Sequence, residues 1–182
     1  MALKSTIFKA ELHVSDLDRS YFASFNLTLA RHPSETDLRM MLRLLAFTLY
    51  ADEQLEFGKG LSSEDEPDLW RQNLRNEVEL WIDLGQPDEK RIRKACHRAQ
   101  QVVLLTYGGS AADIWWKKNA DTLARFDNLT VINCSLPESE ALGALVERTM
   151  QLQCTVDHGQ LWVSAGERTV EVTPVYWKKP AA

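Results

Sequence analysis

Phe8, Ala10, Leu12 and Val14 alternate with Lys9, Glu11, His13 and Ser15, the period-two pattern of a strand with one wet face. A polar stretch at Ser15-Asp16-Leu17-Asp18-Arg19 separates them from Phe25, Leu27 and Leu29, which alternate with Asn26, Thr28 and Ala30. This predicts an antiparallel pair joined by a turn or a short helix. The period then becomes helical. Leu38, Met41, Leu42, Leu45 and Leu49 make one apolar stripe, and Ser34 with Asp37 three residues on reads as the N-cap of a shortened capping box. Glu35 lies on that stripe, aimed inward at the first turn, where a carboxylate needs a cation, a donor or water.

Three candidate strands follow, around residue 57, from near Asp68, and from Val78 to Leu84. Pro87 suits a first helical position and Asp88 and Glu89 suit the positive end of the helix dipole. The helix they open buries Ile92, Ala95, Cys96 and Ala99 and carries Lys90, Arg91, Arg93, Lys94 and Arg98 on its remaining surface. Gln101 to Tyr107 contains the run Val102-Val103-Leu104-Leu105, continuous enough for a parallel strand covered on both faces. Gly108-Gly109-Ser110 caps a helix through Ile114, Trp115 and Trp116. A short apolar strand runs from Leu129 to Cys134 and a helix from Pro137 to Met150. The tail returns as strands at Leu152 to Val156, Leu161 to Val163 and Val170 to Trp177, an antiparallel meander. With no repeat and no linker, the pattern predicts one α+β domain spanning residues 1–182.

Composition narrows the classes of function. The chain has 182 residues, 45% of them hydrophobic and 26% charged, enough for an ordinary core. No apolar run is long enough to cross a bilayer and the first residues lack a signal-peptide stretch, so a cytoplasmic, soluble protein without membrane partners is expected. Three cysteines, odd in number and far apart, indicate buried reduced thiols rather than disulfides or zinc. A net charge of -5 argues against coating nucleic acid by bulk electrostatics but leaves room for a local basic groove.

The candidate chemistry lies in the acids. Glu64-Asp65-Glu66-Pro67-Asp68 opens one strand and Asp83 lies near the end of the next, so Asp68 and Asp83 are placed to converge on a divalent cation. The order helix, three strands, helix, strand over residues 34–107 resembles the αβββαβ core of the PD-(D/E)XK nuclease superfamily, with Pro67-Asp68 as its PD and Asp83 as its (D/E). More closely, the whole chain resembles the bacterial YaeQ family, which carries a variation of that core. The strings that prompt this are Leu29-Ala30-Arg31-His32-Pro33-Ser34-Glu35-Thr36, Met40-Met41-Leu42-Arg43-Leu44-Leu45-Ala46, Asp65-Glu66-Pro67, Leu80-Trp81-Ile82 and Ile114-Trp115-Trp116, together with Pro87-Asp88-Glu89, Arg91, Lys94 and Ala95.

The resemblance implies a mixed central sheet extended by antiparallel strands from both ends of the chain. It also implies Mg²⁺ held by Glu35, Asp68 and Asp83, polarising a phosphodiester of nucleic acid. The lysine such a site carries two residues past its second acid is absent, because Gly85 stands there. Lys90, Arg91 and Lys94 are the nearest replacements, and Lys94 or Lys90 is favoured because arginine is a poor proton carrier. Two readings therefore stand: a Mg²⁺-dependent nuclease using Glu35, Asp68, Asp83 and Lys94 or Lys90, and a nuclease-fold binding protein without turnover whose partner is nucleic acid or another protein.

Overall fold

The computed structural model describes residues 4–182. Its α+β architecture contains two mixed sheets, and the chain divides into two compact units. One takes residues up to Ala51 together with Pro137–Pro174, and the other takes Asp52–Leu136 and Val175–Ala182.

In the first unit, β1 (Thr6–Asp16) and β2 (Tyr21–Arg31) form the expected antiparallel pair. The segment between them is a tight turn rather than a helix, with Ser20 at φ 53°. Phe8, Ala10, Leu12 and Val14 are buried, and on the wet face His13 bonds the Ser24 hydroxyl opposite it and pairs with Glu11. The tail strands β8 (Thr149–Asp157), β9 (Gln160–Ala165) and β10 (Arg168–Val172) form the meander. Of the strands from the two ends of the chain, only β11 (Val175–Lys178) extends the other sheet; β1, β2, β8, β9 and β10 do not. They make a sheet of their own, in the order β10-β9-β8-β1-β2. The reason is register: β8 lies parallel to β1 with Ala10 opposite Met150, Leu12 opposite Leu152 and Val14 opposite Cys154, so two half-apolar strands turn their buried sets to one face.

The helix α1 (Asp37–Leu49) is capped by Thr36, whose hydroxyl accepts from the Arg39 N–H, and not by Ser34, whose hydroxyl bonds His32. It is also more buried than a single stripe requires, since every residue from Arg39 to Thr48 is buried. The helix expected to reach Met150 is shorter: α4 covers Leu136–Gly143. Thr149 and Met150 instead begin β8, whose alternating burial starts at Met150.

In the second unit the sheet order is β11-β7-β6-β5-β4-β3. β3 (Leu55–Phe57), β4 (Leu69–Gln72) and β5 (Val78–Leu84) run antiparallel, and β6 (Gln101–Thr106) and β7 (Leu129–Asn133) continue parallel to β5. Parallel neighbours need crossovers, and α2 (Glu89–Arg98) and α3 (Ser110–Leu123) supply them. Asp88 is at the cap position of α2 and accepts from the Arg91 N–H, so Pro87, expected at the first helical position, stands just before the cap. The segment expected as one strand from Val170 to Trp177 breaks at Thr173-Pro174, and its second part, β11 (Val175–Lys178), joins β7 in this sheet. Proline supplies no ladder N–H at the break. Ile92, Ala95 and Cys96 of α2 pack in one apolar cluster with Trp81, Val102, Leu104, Val131 and Leu123, and Trp115, Trp116 and Trp177 close against it.

Two outcomes test these assignments. Thr36→Ala should cost about 1 kcal/mol in urea unfolding, while Ser34→Ala should leave the midpoint nearly unchanged. Cys96, Cys134 and Cys154 are all buried thiols outside any disulfide, and burial pushes those of Cys96 and Cys154 up to about 11. A thiol reagent at neutral pH should therefore label the native protein slowly and the denatured protein at once.

Candidate functional site

Leu69 pairs with Ile82 across β4 and β5, so Asp68, just before β4, and Asp83, near the end of β5, lie at neighbouring ends of the two strands. Both acids are buried, at 4% and 3% exposure.

Their surroundings differ from a metal centre. Arg91, in the first turn of α2, reaches back to the strand end and grips Asp83 with two nitrogens: Nε donates to Oδ2 at 2.8 Å and Nη2 to Oδ1 at 3.1 Å. The Trp81 indole N–H, two residues back on the same face of β5, donates to Oδ2 at 3.0 Å. The remaining reach of Arg91 goes to main-chain oxygens, with Nη1 donating to Glu64 O at 3.1 Å and Nη2 to Glu66 O at 3.2 Å. The bonded Asp83 carboxylate raises the Arg91 pKa above its ordinary value, against the opposing effect of partial burial, and the charges of Asp83, Asp68 and Asp88 add to the rise. Asp68 Oδ2 accepts the Leu84 N–H at 2.9 Å.

The segment before Asp68 is shaped for close approach. Gly60 has φ 49°, and a Cβ there would lie 2.5 Å from Asp68 Oδ1. The Gly58 N–H donates to the Asp68 carbonyl and the Gly60 N–H to the Pro67 carbonyl. Glu66, which closes the acidic run, turns its carboxylate to the Lys59 N–H at 2.9 Å.

Gly85 has a conformational reason to replace the expected lysine. Its φ is 97°, a backbone that L residues rarely adopt, and it turns the chain from β5 toward α2. The two lysines favoured as replacements lie further out. Lys94 pairs with Asp65 at 3.4 Å, both side chains well exposed, which is worth little in water. Lys90 and Lys94 border a depression of about 340 Å³ also lined by Glu64, Asp88 and Arg91. Arg98 extends the basic surface by donating to the Asp65 carbonyl and lying over the rings of Trp70 and Trp81.

Glu35 belongs to the other compact unit. It precedes the cap of α1, is 7% exposed, and gives one oxygen to Arg39 at 2.7 Å and the other to Arg43 at 2.6 Å. Its inward aim is as expected, but the groups that meet it are arginines of its own unit. The spacing 35, 39, 43, one helical turn each, was the signal for this in the sequence. The weight of Arg91 is less legible: in the sequence it is one of several basic residues of its helix, passed over beside Lys90 and Lys94 as the replacement for the missing lysine.

These donors decide how well the residues suit Mg²⁺. Both oxygens of Asp83 and both of Glu35 are engaged by guanidinium groups, and among the described residues no three His, Cys, Asp or Glu side chains are grouped to hold a metal ion. The arrangement does not fit a divalent cation held by Glu35, Asp68 and Asp83. Among the described residues, no helix is long and apolar enough to cross a membrane.

A family model described as YaeQ protein matches residues 1–174. The chain is 48% identical over 181 residues to YaeQ of Escherichia coli (strain K12) and to YaeQ of Salmonella typhi, both described as uncharacterized, with all of each chain covered. Among solved structures, the YaeQ protein from Xanthomonas axonopodis pv. citri superposes with a TM-score of 0.94 at 50% identity, covering 97% of this chain and 99% of that one. YaeQ from Pseudomonas syringae gives 0.92 at 35% identity, covering 96% and 97%.

The close approach at Gly60 is testable. Gly60→Ala adds a Cβ where φ is positive and Asp68 is in the way, and should destabilise the protein by about 1–3 kcal/mol in denaturant unfolding.

Proposed function

The chain belongs to the YaeQ family, and we propose that it is a binding protein on a nuclease-like scaffold, taking the phosphate backbone of nucleic acid without cleaving it. The observation that carries this reading is the Asp83 carboxylate. The acid that the resemblance assigns to a metal spends both oxygens on Arg91, while Lys90 and Lys94 border the adjacent depression.

The order α1, three antiparallel strands, α2 and a parallel strand supports kinship with the PD-(D/E)XK core. The left-handed backbone at Gly85 leaves the strand without the lysine that turnover in that superfamily uses. On the partner's side, phosphates need cations and donors rather than deep apolar pockets, and α2 offers exposed Lys90, Arg93, Lys94, His97 and Arg98. Binding of this kind is local, consistent with an overall charge of -5. A second reading, the Mg²⁺-dependent phosphodiesterase, is favoured by one observation: Asp68 and Asp83 are both buried at neighbouring ends of β4 and β5.

Fluorescence anisotropy with labelled single-stranded DNA and RNA tests the proposal. Binding should weaken as salt rises, and the double variant Lys90→Ala, Lys94→Ala should flatten the log K against log salt slope by about 1.4, from two lost contacts at about 0.7 each. The same oligonucleotides should survive incubation with Mg²⁺ or Mn²⁺. Cleavage abolished by Asp68→Ala or Asp83→Ala would establish the hydrolase instead, and absence of binding at every salt concentration would leave a protein partner.

A further inference from the structure

Viewed from its oxygens, the pocket around Arg91 has the composition of a hard-cation site. Asp83 Oδ1 and Oδ2, Glu64 O and Glu66 O converge at 2.8 to 3.2 Å from the guanidinium nitrogens, and the charge of Asp68 also acts on it. Carboxylate and carbonyl oxygens are the ligands that Mg²⁺, Ca²⁺ and Mn²⁺ take. Here a planar, permanently charged group with several forked N–H donors fills the centre. It also lies over the Trp81 ring, with Cζ 5.8 Å from the centroid, so the guanidinium rests on an aromatic face as well as among its acceptors.

We infer that the guanidinium of Arg91 is the resident cation of this oxygen cage, and that the native chain is closed to divalent metal there because Arg91 occupies the position from within. Two physical points favour this. First, Arg91 is tethered three residues past the α2 cap, so its local concentration at Asp83 far exceeds that of a free ion at cellular levels. Second, a metal could enter only by breaking four hydrogen bonds and leaving a guanidinium to find new partners, whereas the oxygens gain no neutralisation that they lack. The cage would therefore be metal-independent in the native chain and metal-dependent once the cation is removed. The inference rests on the geometry of the cage alone, and nucleic-acid binding does not enter its test.

Arg91→Met keeps a long unbranched side chain and deletes the charge. Thermal unfolding and Mn²⁺ titration followed by electron paramagnetic resonance should show a native protein indifferent to chelator and to millimolar Mg²⁺, Ca²⁺ or Mn²⁺. Arg91→Met should melt several degrees lower, recover much of the loss on adding a divalent cation, and take up one Mn²⁺ per chain. Adding Asp83→Asn to it should abolish both the recovery and the uptake. Arg91→Gln, which retains hydrogen bonding without charge, provides the same readout should the methionine variant not fold. Stoichiometric Mn²⁺ uptake by the native protein that Asp83→Asn removes would overturn the inference. So would a folded Arg91→Met or Arg91→Gln protein that binds no metal and gains no stability from it.

Discussion

Burying a carboxylate at the end of a β-strand is expensive unless its charge is met by donors held in place, and Asp83 meets that condition through Arg91. The pair fixes more than itself. Because Arg91 sits in the first turn of α2 and also grips the carbonyls of Glu64 and Glu66, one guanidinium ties together the end of β5, the start of its crossover helix and the loop that leads into β4. The left-handed Gly85 makes this closure reachable by turning the chain sharply at the strand end. Gly60 allows the loop to press against Asp68 without a side chain in the way.

The first unit solves a similar problem with the same chemistry. Glu35, buried just before α1, is neutralised by Arg39 and Arg43, spaced one and two turns along the chain. In both cases arginine is the physically apt choice, since its fork spans two oxygens and its guanidinium is less strongly hydrated than an ammonium. The lysines, by contrast, stay at the surface: Lys90 is exposed, and Lys94 meets only an exposed partner. Charges that are desolvated here are satisfied internally, and charges left for a partner are the solvated ones.

Local pattern carried much of the fold. The alternation at Phe8 to Val14, the apolar run at Val102 to Leu105 and the stripe of α2 each read correctly because burial on one face, on both faces and on a helical face leave different periods. The errors fell where two local signals competed. Ser34 and Thr36 are both good caps, and only the geometry of the preceding segment, with Ser34 turned toward His32, chose between them. Val170 to Trp177 is strand-forming throughout, yet Pro174 divides it between two sheets.

The sequence by itself determined most of the elements, their order, the family and the placement of Asp68 and Asp83 at the ends of adjacent strands, because these follow from periodicity and from position along the chain. Only the tertiary structure decided which strands share a sheet and what each acid faces. Parallel pairing of β1 with β8 joins residues more than a hundred positions apart, and no local period encodes such a partner. Likewise, an Asp, an Arg and two carbonyls have no fixed spacing along the chain. Whether a carboxylate holds a metal or a guanidinium depends on which cation the fold brings within hydrogen-bond distance, and at Asp83 the fold brings Arg91.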